Sequence, residues 1–205
     1  MAANQHWEKV YLTRSSDRLS WHQASPEPSL ALLERFGVPA SAALVDVGGG
    51  ASNLVDTLLD RGWSDLTVVD LARAALEVSK MRLGERADKV AWIVADVTRW
   101  VPDRAYDVWH DRAVFHFLTD EAQRIAYRQA LGVGVKPGGL VIMATFAPDG
   151  PERCSGLPVC RYDAKALAAE IGPEFELREE RRDEHVTPAG HVQPFTWCAF
   201  RRTSC

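Results

Sequence analysis

The sequence contains few cysteines, and this scarcity limits the kinds of site it can form. Its 205 residues include only Cys154, Cys160, Cys198 and Cys205, and no two of them form a Cys-x-x-Cys pair. Such spacing is not typical of a disulfide framework or of a zinc site. We therefore expect free thiols and no bound metal.

Long apolar runs and an excess of positive charge are also missing. The start of the chain lacks the apolar core of a signal peptide, and no stretch approaches the roughly 18 apolar residues that span a bilayer. The formal net charge of −4 has the wrong sign for sequence-independent binding to phosphate backbones. We expect a cytoplasmic protein that binds neither a membrane nor nucleic acid.

The chain does contain a short apolar run that breaks into three glycines and then resumes with helical spacing. Residues 44–47 suit a buried strand, Gly48–Gly50 mark a tight loop, and the leucines from Leu54 onward suit a helix. Ser52 is the expected N-cap of that helix. Glycine amides beside the positive end of a helix predict a binding site for a nucleotide-like ligand.

A second apolar run, Leu66–Asp70, ends in an acid 20 positions after Gly50. In a strand, loop, helix and strand unit, this spacing places a carboxylate at the end of the neighbouring parallel strand. Such a carboxylate accepts hydrogen bonds from both hydroxyls of a ribose. Asp70 is therefore a candidate ribose ligand.

Strand and helix patterns alternate from residue 44 to residue 146, which predicts a parallel sheet with helices on both faces. Residues 175–202 read as two strands around a proline-bearing turn, an antiparallel hairpin at the edge of the sheet. Residues 147–163 form a turn-rich segment, and a loop of this length is expected to be functional or mobile.

Residues 1–40 are predicted to form an N-terminal arm followed by a short helix. The first 25 residues show no clear periodicity, but they carry Trp7, Tyr11 and Trp21 among polar residues. This arm either covers the edge of the domain or closes as a lid over a ligand pocket, together with residues 154–162. Aromatic walls of this kind attract sulfonium or ammonium groups.

In this order, the motifs resemble those of class I S-adenosylmethionine-dependent methyltransferases. That family has an acid followed by Gly-x-Gly-x-Gly or Gly-x-Gly-x-Ser, and Asp46, Gly48, Gly50 and Ser52 occupy those places. Lys136–Gly139 match the turn before the fifth strand. The resemblance covers residues 44–146 well. It implies a Rossmann-like three-layer α/β sandwich with a mostly parallel seven-stranded sheet ending in an antiparallel hairpin, and residues 41–205 as the methyltransferase domain.

The resemblance also implies S-adenosylmethionine as the cofactor. The loop would lie against its methionine part with Asp46 facing the amino group, Asp70 would hold the ribose, and Asp96 would bond the adenine amino group. The cofactor-binding candidates are Trp21, Asp46, Gly48, Gly49, Gly50, Ser52, Asp70, Leu71, Asp96, Val97 and His110.

His110, Asp111 and His116 are the candidate catalytic residues, because they crowd the end of the fourth strand, where open α/β sheets bind ligands. A histidine can take a proton near neutral pH, and Asp111 can attract a cationic amine. In the alternative interpretation, Asp111 pairs with Arg112 and His116 packs on a helix.

We expect a small-molecule acceptor, with a protein lysine as the second choice. The sequence His-Asp-Arg-Ala from His110 lacks the Asn or Asp, two prolines and aromatic residue that enzymes acting on DNA adenine or glutamine amides carry there. Two other classes stay open. An NAD(P)-dependent oxidoreductase is disfavoured by Asn53 in place of a third glycine, and a non-catalytic cofactor-binding module is the last alternative. Arg161 either recognises an acidic acceptor or lies on the surface.

Overall fold

The computed structural model describes residues 3–203, in which a seven-stranded sheet lies between helices. The helices are α1 (Ala3–Thr13), α2 (Glu27–Arg35), α3 (Leu54–Asp60), α4 (Arg73–Leu83), α5 (Glu121–Gly134) and α6 (Ala164–Ile171). The strands are β1 (Leu44–Val47), β2 (Leu66–Asp70), β3 (Val90–Val94), β4 (Tyr106–Arg112), β5 (Val135–Phe146), β6 (Arg153–Cys154), β7 (Leu157–Pro158), β8 (Phe175–Val186) and β9 (Val192–Arg202).

The strand order is β3-β2-β1-β4-β5-β9-β8. Strands β1 to β5 run parallel, and β9 is antiparallel to both β5 and β8. Because β1 lies between β2 and β4, the connections leave it in opposite directions, and a crevice opens at the carboxyl ends of these strands. The predicted fold is confirmed, including the antiparallel hairpin at its edge.

Alternate residues of the central strands face two separate cores. Leu44 and Val108 pack on one face with the leucines of α2 and α3, whereas Val45 and Trp109 pack on the other face with α5 and α6. This two-sided burial is why the strands read as nearly continuous apolar runs. The sheet is therefore packed on both faces by helices, and the crevice lies at the ends of these packed strands.

The structure differs from the sequence prediction in the arm, at the start of α3 and within β5. The arm contains α1, although no helical periodicity marks it. The helix after the glycine loop takes Asn53, not Ser52, as its N-cap residue, although the Ser52 hydroxyl accepts a hydrogen bond from the Leu54 amide (3.1 Å). Lys136–Gly139 lie within β5, where they bulge out opposite Asp107 instead of preceding the strand.

The turn-rich segment after β5 contains the two-stranded hairpin β6–β7, which the sequence did not predict. Cys154, Cys160 and Cys198 carry free thiols, and Cys205 lies outside the described residues. Between residues 3 and 203, no helix is both long and apolar enough to cross a membrane.

Candidate functional site

The glycine loop packs so tightly that a side chain has no room at its first two glycines. Gly48 has φ +68°, and a Cβ there would lie 2.0 Å from Cγ2 of Val114. A Cβ on Gly49 would lie 2.3 Å from Oδ2 of Asp46. The loop backbone therefore lies directly against the side chains of Asp46 in β1 and Val114 after β4, a close approach that only glycine allows.

Asp70 ties the end of β2 to this loop. Its Oδ2 accepts a hydrogen bond from the Gly50 amide (3.1 Å), and its Oδ1 accepts one from the Ala72 amide (2.8 Å). Burial raises the pKa of this carboxyl to about 7, against the opposing effect of the two amides. Each carboxylate oxygen can accept a further bond, so Asp70 can still receive hydroxyl donors.

Asp46 and His110 form a buried pair between β1 and β4. Asp46 Oδ1 lies 2.7 Å from His110 Nδ1, and Nε2 of the same ring lies 2.9 Å from the Ser29 hydroxyl. Both ring nitrogens are therefore engaged, so the geometry makes His110 a positioning residue for Asp46. Its predicted catalytic role stays a prediction. Asp46 Oδ2 is buried without a hydrogen-bond partner in residues 3–203, which leaves one oxygen for a cationic ligand group.

Asp111 and His116 turn inward, away from the crevice. Asp111 accepts hydrogen bonds from the Tyr127 hydroxyl (2.6 Å) and the Val114 amide (2.9 Å), and burial raises its pKa to about 6. His116 Nδ1 accepts a bond from the Phe146 amide (3.3 Å), and burial lowers the pKa of this ring to about 3. Neither residue lines a cavity described below, so their geometry favours structural roles, and the catalytic roles stay predictions.

The crevice holds a cavity of about 340 Å³ at the carboxyl ends of the strands. Of the predicted cofactor ligands, it brings together Trp21, Gly48, Asp70, Leu71, Asp96 and Val97. Its other walls come from the arm, the segment after β4 and the β6–β7 hairpin, and they include Trp7, Tyr11, Arg112, Phe117, Leu118, Cys154, Leu157 and Pro158.

A smaller cavity of about 40 Å³ adjoins the first. It shares Tyr11, Trp21, Gly48 and Arg112 with the larger cavity. It collects the remaining predicted ligands Asp46, Gly49, Ser52 and His110, whereas Gly50 lines neither cavity and acts through its bond to Asp70. The two adjoining cavities therefore bring together all the predicted cofactor ligands except Gly50, and the roles of these residues towards the cofactor stay predictions.

Helix α1 is fixed over the larger cavity by its polar and aromatic residues. The Glu8 carboxylate accepts hydrogen bonds from the amides of Arg73 (2.7 Å) and Ala74 (3.1 Å), and so caps the first turn of α4. Trp7 packs edge-on against Trp21 and Phe117, with ring centroids 5.6 and 5.1 Å away. The arm thus covers the ligand crevice, and its opening as a lid stays a prediction.

The residues present fit the cofactor that the resemblance implies. The unpartnered Asp46 oxygen suits an ammonium group, and Asp70 suits a ribose. Leu71 and Val97 give the larger cavity apolar surface beside Asp96, whose Oδ1 accepts a bond from the Thr98 amide (2.9 Å). Within the described part of the chain, no three His, Cys, Asp or Glu side chains are arranged to hold a metal ion.

Sequence reasoning missed the contributions of Glu8 and Arg112. Glu8 carried no signal, because its partners are amides of a distant helix. The sequence offered Arg112 only as a partner for Asp111. In the structure Asp111 bonds Tyr127 instead, and no acid lies in salt-bridge contact with Arg112 in the described chain. Arg161 bonds the carbonyl of Gly150 and does not line either cavity.

Comparison with known sequences finds similarity to methyltransferases. Residues 44–139 match the model of a methyltransferase domain. The chain is 28% identical over 199 residues to a malonyl-[acyl-carrier protein] O-methyltransferase of Anoxybacillus flavithermus, a match covering 94% of this chain and 73% of the relative. It is 28% identical to a trans-aconitate 2-methyltransferase of Rhodopseudomonas palustris, covering 64% and 48%. It is 25% identical to a mouse eEF1A lysine and N-terminal methyltransferase, covering 60% and 18%. The chain thus spans at most about half the length of the last two relatives.

Solved structures share the fold over almost the entire chain. The N-methyltransferase NodS of Bradyrhizobium japonicum, in complex with S-adenosyl-L-homocysteine, superimposes with a TM-score of 0.73 at 16% identity, covering 97% of both chains. A protein from a study of thioacetal formation in echinomycin biosynthesis reaches 0.77 at 22% identity, covering 98% of this chain and 93% of its own. At these identities the structures show the fold, and they agree with the family match.

The match over residues 44–139, the strand order, the glycine loop and the carboxylates of Asp46, Asp70 and Asp96, which lie in or just after β1, β2 and β3, all agree. Together they support a class I S-adenosylmethionine-dependent methyltransferase, the family whose cofactor is S-adenosylmethionine.

Proposed function

We propose that the protein transfers a methyl group from S-adenosylmethionine to a small-molecule acceptor. The observation that carries this proposal is the cavity between the arm and the β6–β7 hairpin, with Trp7, Phe117 and Leu157 in its walls. A pocket of about 340 Å³ that these segments partly cover suits small ligands, which are usually held in largely apolar clefts. A protein acceptor favours an open groove instead.

A long acidic groove near Asp111 would indicate a protein lysine acceptor. Asp111 is fully buried and bonded to Tyr127, so it adds no charge to the surface. The eEF1A relative keeps a protein acceptor as the second candidate, whereas the trans-aconitate relative is named for a small molecule. The cavity that the arm and the hairpin partly cover favours the small molecule.

The protein has little chemistry to perform, because the bound sulfonium supplies an already electrophilic methyl group. The chain has to orient two ligands and exclude water. Asp46 would hold the amino group of the cofactor and Asp70 its ribose, and His110, which also contacts Ser29, keeps Asp46 in place. Trp7, Tyr11 and Trp21 shield the transfer from solvent. Residence in the cytoplasm and the exclusion of nucleic-acid acceptors stay predictions from composition.

Titration calorimetry with S-adenosylmethionine, S-adenosylhomocysteine and NAD tests the cofactor. We expect binding of the first two and none of NAD, and the reverse pattern would favour the oxidoreductase. Incubation with methyl-labelled cofactor and a cell lysate tests the acceptor. We expect label in the small-molecule fraction; label confined to protein would favour the lysine acceptor, and binding without any transfer would favour the non-catalytic module.

A further inference from the structure

Arg112 is a cation at the end of β4 with no salt-bridge partner among residues 3–203, although the charges of Asp46 and Asp183 act on it. It is the only Lys or Arg side chain of residues 3–203 that lines the larger cavity. Its Nη1 donates a hydrogen bond to the carbonyl of Trp21 (2.8 Å), and its Cζ lies 5.5 Å from the centre of the Phe195 ring. Its Nη2 is buried and has no partner in the described chain.

This arrangement is unfavourable unless a ligand completes it. A guanidinium carries five donors, and a buried donor without an acceptor loses its hydration without compensation. Burial lowers the pKa of Arg112 to about 10 even though the charge of Asp46 acts in the opposite direction. The side chain therefore stays protonated at neutral pH while lacking its preferred partner, a planar oxyanion.

The position of Arg112 separates it from the carboxylates predicted to hold the nucleoside. Asp70 and Asp96 follow β2 and β3, whereas Arg112 ends β4, on the other side of β1. The charge of Arg112 acts on the nearby Cys154 thiol, which belongs to the β6–β7 hairpin. An anion entering the larger cavity is attracted to the Arg112 end and repelled from the end with Asp70 and Asp96.

The larger cavity also offers no free base. The side chains in its lining that exchange protons are Tyr11, Asp70, Asp96, Arg112 and Cys154. Burial raises the pKa of Cys154 to about 11 and raises that of Tyr11 above its ordinary value. Asp70 and Asp96 are assigned to the nucleoside, His116 lines neither cavity, and His22 and His110 line only the smaller one. Within the larger cavity, an acceptor that must lose a proton during transfer therefore has no unassigned group to receive the proton.

We propose that the acceptor is a small molecule with a carboxylate, that Arg112 holds this carboxylate, and that one carboxylate oxygen receives the methyl group. This inference rests on the proposed function and narrows it. An oxygen lone pair forms the new bond to the methyl carbon, the carbon–sulfur bond breaks, and its electron pair stays on sulfur as the neutral thioether. The products are a methyl ester and S-adenosylhomocysteine, and no proton is transferred.

The test uses the full chain, methyl-labelled S-adenosylmethionine and the small-molecule fraction of a cell lysate. Methyl esters release their label as volatile methanol in alkali, whereas methylated amines and thiols do not. We expect the label to be alkali-labile. We expect Arg112→Gln to lower the rate of labile-label formation by about 100-fold, because it removes a charge-assisted hydrogen-bonded pair. Arg112→Lys keeps the charge without the planar fork and should show an intermediate loss.

Two controls distinguish this inference from its rivals. Arg104 also stacks on an aromatic ring, Tyr106, but it is exposed and paired with Asp65 outside both cavities, so Arg104→Gln should keep the wild-type rate. Because Arg112 also lines the smaller cavity, affinity for S-adenosylhomocysteine is measured in every variant. We expect the affinity of Arg112→Gln for S-adenosylhomocysteine to stay within about threefold of wild type. This follows if Arg112 contacts the acceptor and not the cofactor.

Several results would overturn the inference. Alkali-stable label in small molecules would show that another atom is methylated, while leaving the proposed function intact. Loss of S-adenosylhomocysteine affinity in a folded Arg112→Gln or Arg112→Lys protein would assign Arg112 to the cofactor. Label found only in protein would reject the proposed function itself.

Discussion

At the scale of single residues, Asp70 carries the clearest assignment. It ends β2, and it accepts amide hydrogen bonds from Gly50 and Ala72 on opposite oxygens. Those two bonds hold the carboxylate beside the glycine loop, so its position is set before the ribose binds. Its remaining acceptor capacity faces the cavity lined by Leu71 and Val97.

We expect Asp70→Ala to weaken S-adenosylhomocysteine binding by roughly 2 to 4 kcal/mol, because two charge-assisted hydrogen bonds to the ribose would be lost. Titration calorimetry measures the loss, and a thermal melt confirms folding. Asp65→Ala is the matched control, since Asp65 is an exposed acid paired with Arg104 outside both cavities. Unchanged affinity in a folded Asp70→Ala protein would show that Asp70 is wrongly assigned.

At the scale of elements, the docking of α1 on α4 links the arm to the cofactor site. Glu8 occupies the position of a helix cap, although it comes from another helix. Helix α4 begins just after Asp70 and Leu71, which line the cavity. The contact with Glu8 therefore connects the arm over the cavity to the segment that lines it. The arm is therefore anchored at two adjacent residues, by the hydrogen bonds of Glu8 and the aromatic packing of Trp7.

We expect Glu8→Ala to loosen α1, because the cap that it supplies is worth about 1 kcal/mol. Hydrogen exchange should show faster amide exchange over Ala3–Thr13, and stopped-flow measurements should show faster release of S-adenosylhomocysteine. Lys9→Ala removes an exposed side chain from the same helix and should change neither rate. If Glu8→Ala and Lys9→Ala release the ligand equally, the arm does not act as a lid.

The elements also show how far sequence reasoning reaches. The glycine loop and Asp70 could be predicted, because one local connection fixes their separation. Helix α1 could not, since Glu8 and Trp7 bond and pack against distant parts of the chain. The role of Arg112 could not be predicted either, because it depends on Asp111 turning towards Tyr127. Local periodicity carries no information about such long-range partners.

At the scale of the whole molecule, buried carboxyls make stability depend on pH. Burial raises the pKa of Asp111 to about 6, above the ordinary value of 3.8. Between these two pH values the folded state holds a proton that the unfolded state has lost. Raising the pH through this window therefore lowers the free energy of unfolding, with a slope of at most about 1.4 kcal/mol per pH unit from this group.

We expect Asp111→Asn to remove this contribution. The free energy of unfolding of wild type relative to Asp111→Asn should fall between pH 4.5 and pH 7, as measured by urea denaturation at both values. Asp163→Asn serves as the control, because Asp163 caps α6 at the exposed surface. If the difference in free energy of unfolding between wild type and Asp111→Asn is the same at both pH values, the assignment is wrong.

The terminal hairpin has a consequence for the behaviour of the protein at high concentration. Strand β8 is the edge of the sheet, and its Arg178, Arg181 and Arg182 stand among acidic neighbours. If the edge strand of a second molecule paired with β8, a row of charged side chains of both signs would lose part of its hydration. The charge alternation that marks β8 in the sequence therefore works against fibrous self-association, and it does so without covering the strand.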